Sequence, residues 1–91
     1  MVPLQNFATG VLSDVIRRQP PSPARTSFAW TVAVGPALAR SATATLNGTV
    51  LTVRPRDARW AKEVERARET ILARMQQLLG RESVVRIEVL T

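Results

Sequence analysis

The Asn-Gly dipeptide at positions 47 and 48 constrains the fold more than any other feature of this chain. Asn-Gly between two alternating runs is typical of a tight β-hairpin, because both central residues of a type I′ turn require positive φ. With this dipeptide in the turn, Leu46 would pair with Thr49. Ala44 would then pair with Leu51. The strands would present an apolar face (Ala44, Leu46, Leu51 and Val53, together with Thr49) and a largely polar face (Thr43, Thr45, Val50, Thr52 and Arg54). This pattern predicts a sheet that is covered on one side only.

Helical patterns precede the hairpin. Apolar residues at helical spacing predict an amphipathic helix over residues 4–18, which ends because prolines follow and proline cannot continue the hydrogen-bond ladder. Residues 19–23 form a proline-rich elbow within the domain. Ser22 and Pro23 are a typical cap and first-turn proline, so a second helix is predicted from Pro23 to Val34. Gly35-Pro36 breaks it, and a short helix is predicted to resume over residues 38–41.

One long helix and one strand are predicted after the hairpin. Asp57 can cap a helix that runs to about Leu79, where Gly80 ends it, and the alternation over residues 85–90 predicts the last strand. The expected architecture is a single α+β domain over residues 1–91. It is a two-layer sandwich with helices packed on one face of a three-stranded sheet, in the order α-(α)-β-β-α-β. The two Trp and two Phe residues are all expected in buried positions.

The residue types that most enzymes and metal sites need are missing. The chain has no Cys and no His, so it lacks thiolate and imidazole metal ligands, the usual nucleophile pairs and the commonest general base. The acidic residues have no calcium-loop spacing, and the four scattered glycines form no phosphate loop. We therefore expect no catalytic residue, cofactor, metal or small-molecule substrate. No export signal or bilayer-spanning stretch is recognisable, which predicts a cytoplasmic protein with no membrane partner.

Arginine dominates the charge of the chain. Thirteen basic residues, twelve of them Arg, face seven acidic ones for a net charge of +6, and residues 1–56 hold six arginines against one aspartate. Such an uneven balance predicts a basic face and a polyanionic or acidic partner. Two clusters are candidate DNA-binding residues: Arg54, Arg56, Arg59, Lys62 and Arg66 around the start of the long helix, and Arg17, Arg18 and Arg25 around the elbow. The alternative that these are scattered, solvated arginines stays open.

Several motifs occur in an order that resembles the DciA family. They are Trp30, Val34-Gly35, Leu38-Ala39 and Ser41, the hairpin over residues 46–53, Trp60 to Val64, and the strand over residues 85–89. The likeness extends over residues 4–90. It implies a K-homology-like domain that binds DNA and the bacterial replicative helicase and helps to load that helicase at initiation. The Gly-x-x-Gly loop with which true K-homology domains clamp a nucleic-acid backbone is absent.

The sequence thus favours a non-enzymatic, nucleoid-associated accessory of DNA replication, whose partners are DNA (single-stranded, duplex or both) and the replicative helicase. Apolar surface on the first or second helical region is expected to contact the helicase. Few aromatic residues are available for stacking on bases, which favours contacts to the nucleic-acid backbone. Two alternatives remain open. One is a general single-stranded DNA- or RNA-binding K-homology-like module without a helicase role, and the other is a protein–protein adaptor.

Overall fold

The computed structural model describes residues 14–90. Residues 14–18 are helical and are labelled α1, whereas the rest of the helix predicted over residues 4–18, including Phe7, lies outside the described residues. The other elements are α2 (Pro23–Val34), α3 (Pro36–Ser41), β1 (Ala42–Asn47), β2 (Val50–Pro55), α4 (Ala58–Arg66), α5 (Arg68–Leu79) and β3 (Arg86–Val89). The predicted α+β class, with a three-stranded sheet and helices packed against it, is confirmed.

Helices α2 and α4 begin where the sequence places their caps. The side chain of Ser22 accepts a hydrogen bond from the backbone N–H of Arg25 at 3.0 Å, and Asp57 accepts one from the backbone N–H of Trp60, also at 3.0 Å. Each cap satisfies a backbone donor that the first turn of a helix leaves without a partner. Gly35 separates α2 from α3 with φ of 87°, a conformation that other residues rarely adopt.

Strand β2 is the centre of the three-stranded sheet, antiparallel to β1 and parallel to β3. Parallel neighbours need a crossover connection, and α4 with α5 provides it. Leu51 and Val53 are fully buried under the helices, and Ile87 of β3 is buried beside them. Their neighbours Thr52 and Arg54 therefore lie on the opposite, open face. The predicted division into a covered apolar face and an open polar face is confirmed.

The predicted pairing register of the hairpin is wrong. Leu46 pairs with Leu51 rather than Thr49, and the turn consists of Gly48 and Thr49. Gly48 has φ of 62°, and no non-glycine residue within 14–90 has positive φ. A turn with positive φ only at its first central residue follows the type II′ pattern, which leaves Asn47 in the strand. Both faces survive the error because the pairing moved by two residues, an even number.

The predicted long helix is interrupted at Ala67, where φ is −99° and ψ is 9°. Helix α4 packs against β2 and β3, whereas α5 packs mainly against α2. The interruption falls between the two segments that pack against these different neighbours. The sequence shows one continuous apolar stripe here and gives no sign of the interruption.

The expectation that every aromatic residue is buried is wrong for Phe28. Trp30 is 2% exposed, but Phe28 is 50% exposed and Trp60 is half-buried. Two residues along a helix correspond to a rotation of about 200°, so Phe28 and Trp30 of α2 point to opposite sides. Two neighbouring valines also differ in exposure, for another reason. Val84 is buried and Val85 is exposed, because β3 begins only at Arg86 and strand alternation does not yet apply.

Trp30 joins the helical layer to the sheet. Its side chain is buried in the core, and its indole Nε1–H donates a 2.9 Å hydrogen bond to the carbonyl oxygen of Ala42, the first residue of β1. The bond satisfies a polar group that would otherwise be buried without a partner. Trp30 thus fixes α2 against the strand at which the sheet begins.

We expect Trp30→Phe to lower the free energy of unfolding by about 1–3 kcal/mol, because it leaves the Ala42 carbonyl unsatisfied and a void beside it. Urea denaturation followed by circular dichroism measures the change. Trp60→Phe is the matched control, since Trp60 is only half-buried and its indole donates to no residue within 14–90. Equal losses in the two variants would contradict the role given to this hydrogen bond.

Candidate nucleic-acid interface

The part of the chain from residue 14 to 90 contains no group of three or more acidic side chains placed to hold a metal ion. None of the helices in that part has the length and apolar character needed to cross a membrane. The most distinctive surface feature of the described residues is the distribution of their basic side chains.

The arginines around the proline elbow bind other groups of the same chain. Arg17 donates from Nη2 to the carbonyl oxygens of Gln77 at 2.6 Å and Gln76 at 3.4 Å, in the last turn of α5. Arg18 pairs with Asp14 at 3.0 Å, and Arg25 donates from Nη1 to the carbonyl oxygen of Gln19 at 3.0 Å. Arg17 therefore ties α1 to α5, and Arg25 ties the start of α2 to the elbow. Each of the three arginines uses one guanidinium nitrogen for these bonds.

Two further arginines also bind backbone carbonyl groups. Arg74 donates from Nη1 to Ala33 at the end of α2, and Arg68 donates from Nη1 to Ile87 in β3, each at 2.9 Å. The last carbonyl groups of a helix lack intrahelical partners and carry partial negative charge, so a guanidinium group is well suited to bind them. These side chains connect separate elements and contribute to the stability of the fold.

The cations of α4 lie on its outer side. Arg59, Lys62 and Arg66 follow one another at i, i+3 and i+7, opposite the buried residues Ala61 and Val64. This α4 row spans about 10 Å along the helix. Arg59 and Lys62 form no side-chain hydrogen bond or ion pair with any residue within 14–90. Arg66 lies 3.7 Å from Glu63 in an exposed pair, a kind of contact that holds a side chain only weakly.

A second group of cations lies where β1 begins and β2 ends. The backbone N–H of Arg56 donates to the carbonyl oxygen of Ser41 at 2.7 Å, which extends the ladder by one pair beyond Ala42 and Pro55. Arg40 precedes Ser41, so it lies at the same end of the sheet as Arg56. Arg54 pairs with Thr43 on the open face nearby. We call Arg40, Arg54 and Arg56 the junction cluster; all three are exposed and make no side-chain bond to another described residue.

Arg40 is absent from the candidates that the sequence supplies. It belongs to α3, fourteen positions before Arg54, and only the pairing of the hairpin brings the two segments together. The pairing of the hairpin strands contains the information that would have identified Arg40. Extending the correct register backwards from the turn places Ser41 opposite Arg56, whereas the register predicted from Asn47-Gly48 places Ser41 opposite Arg54.

The cations begin at one end of the sheet and continue along α4, so they do not cover one flat face. Arg54 lies on the open face of the sheet, whereas the α4 row lies on the outer side of the helical layer, and Arg56 lies in the connection between them. Three acidic residues, Asp57, Glu63 and Glu65, share this region. Asp57 caps α4 and Glu65 pairs with Arg68. The six cations of the junction cluster and the α4 row leave a positive surplus at this end.

A small domain of this kind, with surplus cations that begin at one end of its sheet, belongs to the class of compact basic α+β domains. More specifically, the chain belongs to the DciA family, whose model, described as "Dna[CI] antecedent, DciA", matches residues 3–89. This family is associated with loading of the replicative helicase and is not a known catalytic family, so the chain has a replication role connected with helicase loading. No similar protein was found among curated proteins or among solved structures.

The two kinds of arginine should differ in their effect on stability. We expect Arg74→Met to lower the free energy of unfolding by about 1 kcal/mol, because the carbonyl oxygen of Ala33 loses its donor. Arg59→Met should change it by less than about 0.5 kcal/mol, because the Arg59 side chain has no partner among residues 14–90. Chemical denaturation of both variants tests this difference. A loss for Arg59→Met as large as that for Arg74→Met would show that Arg59 is a structural residue.

Proposed function

We propose that this chain is a non-enzymatic accessory of DNA replication that binds DNA through the junction cluster and the α4 row and also binds the replicative helicase. The observation that carries the DNA-binding part is the set of six exposed cations around one end of the sheet. Five of them hold no partner among the described residues, and Arg66 holds only an exposed one. Arg17, Arg18 and Arg25, which the sequence also suggests, are left out of the proposed interface because they lie on α1 and α2 around the elbow, and not on the elements that carry the junction cluster and the α4 row.

Phosphate groups are the chemistry that such a surface fits best. Guanidinium groups bind phosphate oxygens in pairs, and a positively charged path that follows a nucleic-acid backbone binds with little regard to base sequence. The N-terminus of α4 adds partial positive charge beside Arg56 and Arg59. Aromatic stacking has little part in this proposal, because Trp30 is buried, Trp60 is half-buried, and the exposed Phe28 lies in α2, outside the proposed interface. The proposed contact is therefore made to the nucleic-acid backbone, and its affinity depends on the salt concentration.

The helicase part of the proposal rests on family membership. The sequence contains no nucleotide-binding loop, so the proposed action consumes no nucleotide. The chain would hold DNA and helicase together and raise the local concentration of one for the other. In a cell this action would place the protein at the nucleoid.

A charge reversal at the centre of the interface tests DNA binding. We expect Arg56→Glu with Arg59→Glu to weaken binding to fluorescein-labelled single-stranded DNA at least about tenfold. The slope of log affinity against log salt concentration should become less steep by about 1.4, because the variant loses two phosphate contacts and each contributes about 0.7 on single strands. Fluorescence anisotropy at several salt concentrations measures both quantities, with duplex DNA in parallel.

The matched control carries the same change of charge at the other end of β2. Arg81→Glu with Arg86→Glu alters two exposed arginines outside the proposed interface, and Arg86 pairs with Val50 beside the hairpin turn. This control should keep most of the affinity. If both double variants weaken equally, binding follows net charge alone and the interface is wrongly placed.

Binding of the purified chain to the replicative helicase of its own organism tests the second part. We expect a complex in size-exclusion chromatography without added nucleotide, and stronger retention when single-stranded DNA is present. If DNA binds but the helicase never co-elutes, the chain is a general nucleic-acid binder. If neither single-stranded nor duplex DNA binds at about 50 mM salt, a range in which phosphate contacts are strong, the chain is an adaptor for proteins.

A further inference from the structure

A groove lies where the proline elbow joins α1 to α2. It has a volume of about 360 Å³, and its lining includes Val15, Ile16, Pro20, Arg25 and Phe28. This volume falls within the range of cavities that take small ligands or the anchoring side chains of a peptide. The groove is formed by a part of the chain that the proposed DNA interface does not use.

The apolar side chains around this groove are unusually exposed. Among the described residues, three large hydrophobic side chains are exposed: Val15 at 49%, Phe28 at 50% and Val85 at 51%. Val15 and Phe28 line the same groove, and Pro20 is also part of its lining. A single exposed apolar residue is ordinary on a protein surface, but apolar residues grouped around a cavity mark a binding site. An aromatic residue such as Phe28 is a common anchor in such sites.

The charged residues beside the groove are mostly positive. Residues 14–28 contain Arg17, Arg18 and Arg25 against Asp14 alone. Arg25 uses Nη1 to bind the carbonyl oxygen of Gln19, while its buried Nε has no hydrogen-bond partner among the described residues. Arg25 as a whole is only half-buried and lines the groove. Its positive charge therefore lies beside any group that enters the groove and favours a negatively charged one.

We propose that this elbow groove docks an acidic amphipathic helix of a partner protein, with apolar side chains against Phe28 and Val15 and a carboxylate beside Arg25. Apolar anchors at i, i+3 or i+4 of a helix fit a short groove of this kind, and the positive rim selects an acidic sequence. A second copy of this chain is disfavoured, because its net charge of +6 would face like charges at the rim. The inference rests on the proposed function, in which the partner is the replicative helicase.

The chemistry of the groove can be tested without the helicase. The probe is a synthetic peptide of about 15 leucine and glutamate residues with leucine at helical spacing, long enough to form a helix when bound. A leucine and lysine peptide of the same pattern is its control. In ¹H–¹⁵N NMR spectra of the labelled full chain, we expect the acidic peptide to shift the amides of residues 14–28. The lysine peptide should leave them unchanged, and Phe28→Ser should weaken the acidic peptide at least about tenfold.

The same surface is then tested on the helicase. Val15→Ser with Phe28→Ser should weaken the complex with the helicase at least about tenfold and leave single-stranded DNA binding unchanged. Val85→Ser is the matched control, because Val85 is equally exposed but lies outside the groove. Thermal denaturation of each variant checks that it is folded. If the wild-type chain does not bind the helicase, the proposed function fails, while the peptide experiment still decides the chemistry of the groove.

Four results would overturn the proposal. The acidic peptide could shift only residues outside the groove, or Phe28→Ser could bind it as tightly as the wild type does. Phe28→Ser could instead abolish a dimer detected by analytical ultracentrifugation, in which case the occupant is a second copy. Finally, the double serine variant could lose binding to phosphatidylglycerol vesicles but not to the peptide or the helicase, in which case the groove contacts a membrane surface.

Discussion

The central strand β2 sets the positions of both the core and the candidate interface. Leu51 and Val53 are fully buried beneath the helices, and strand alternation then forces Arg54 onto the open face. The antiparallel contact with β1 needs only a tight turn, whereas the parallel contact with β3 requires the crossover formed by α4 and α5. That crossover must begin at the end of β2, so the basic residues from Arg54 to Arg66 leave the sheet at one place. The burial of two aliphatic side chains thus determines where the cations gather.

The sequence predicts the features of this fold that depend on neighbouring residues better than those that depend on distant ones. The caps at Ser22 and Asp57 and the two faces of the hairpin follow from neighbouring residues, and the sequence predicts them correctly. The register failed because Asn47-Gly48 permits two turns, and only one of them requires positive φ at the asparagine. The exposure of Phe28 and the proximity of Arg40 to Arg56 depend on tertiary packing and strand pairing. Neither the exposure of Phe28 nor this proximity can be predicted from local sequence patterns.

The arginines of this chain perform two different tasks that composition alone cannot separate. Arg17 binds two carbonyl groups at the end of α5, and Arg74 binds one at the end of α2. A planar group with five donors on a long side chain can span such gaps between elements, which a single ammonium group does less well. A small domain gains stability from these links, because it buries only a modest share of its surface. The excess of arginine over lysine therefore has a structural cause as well as a chemical one.

The two proposed surfaces lie on elements whose relative position is fixed. The elbow groove belongs to α1 and α2, and the DNA interface begins where α3 meets β1 and β2 meets α4. The indole of Trp30 binds α2 to the first residue of β1, and Arg74 binds the end of α2 to α5. A partner in the groove and a DNA strand at the junction would therefore be held in a defined geometry rather than on a flexible tether. Rigid placement raises the effective concentration of two bound partners without any chemical step. Such a placement would suit the proposed function, in which one chain holds DNA and the helicase together.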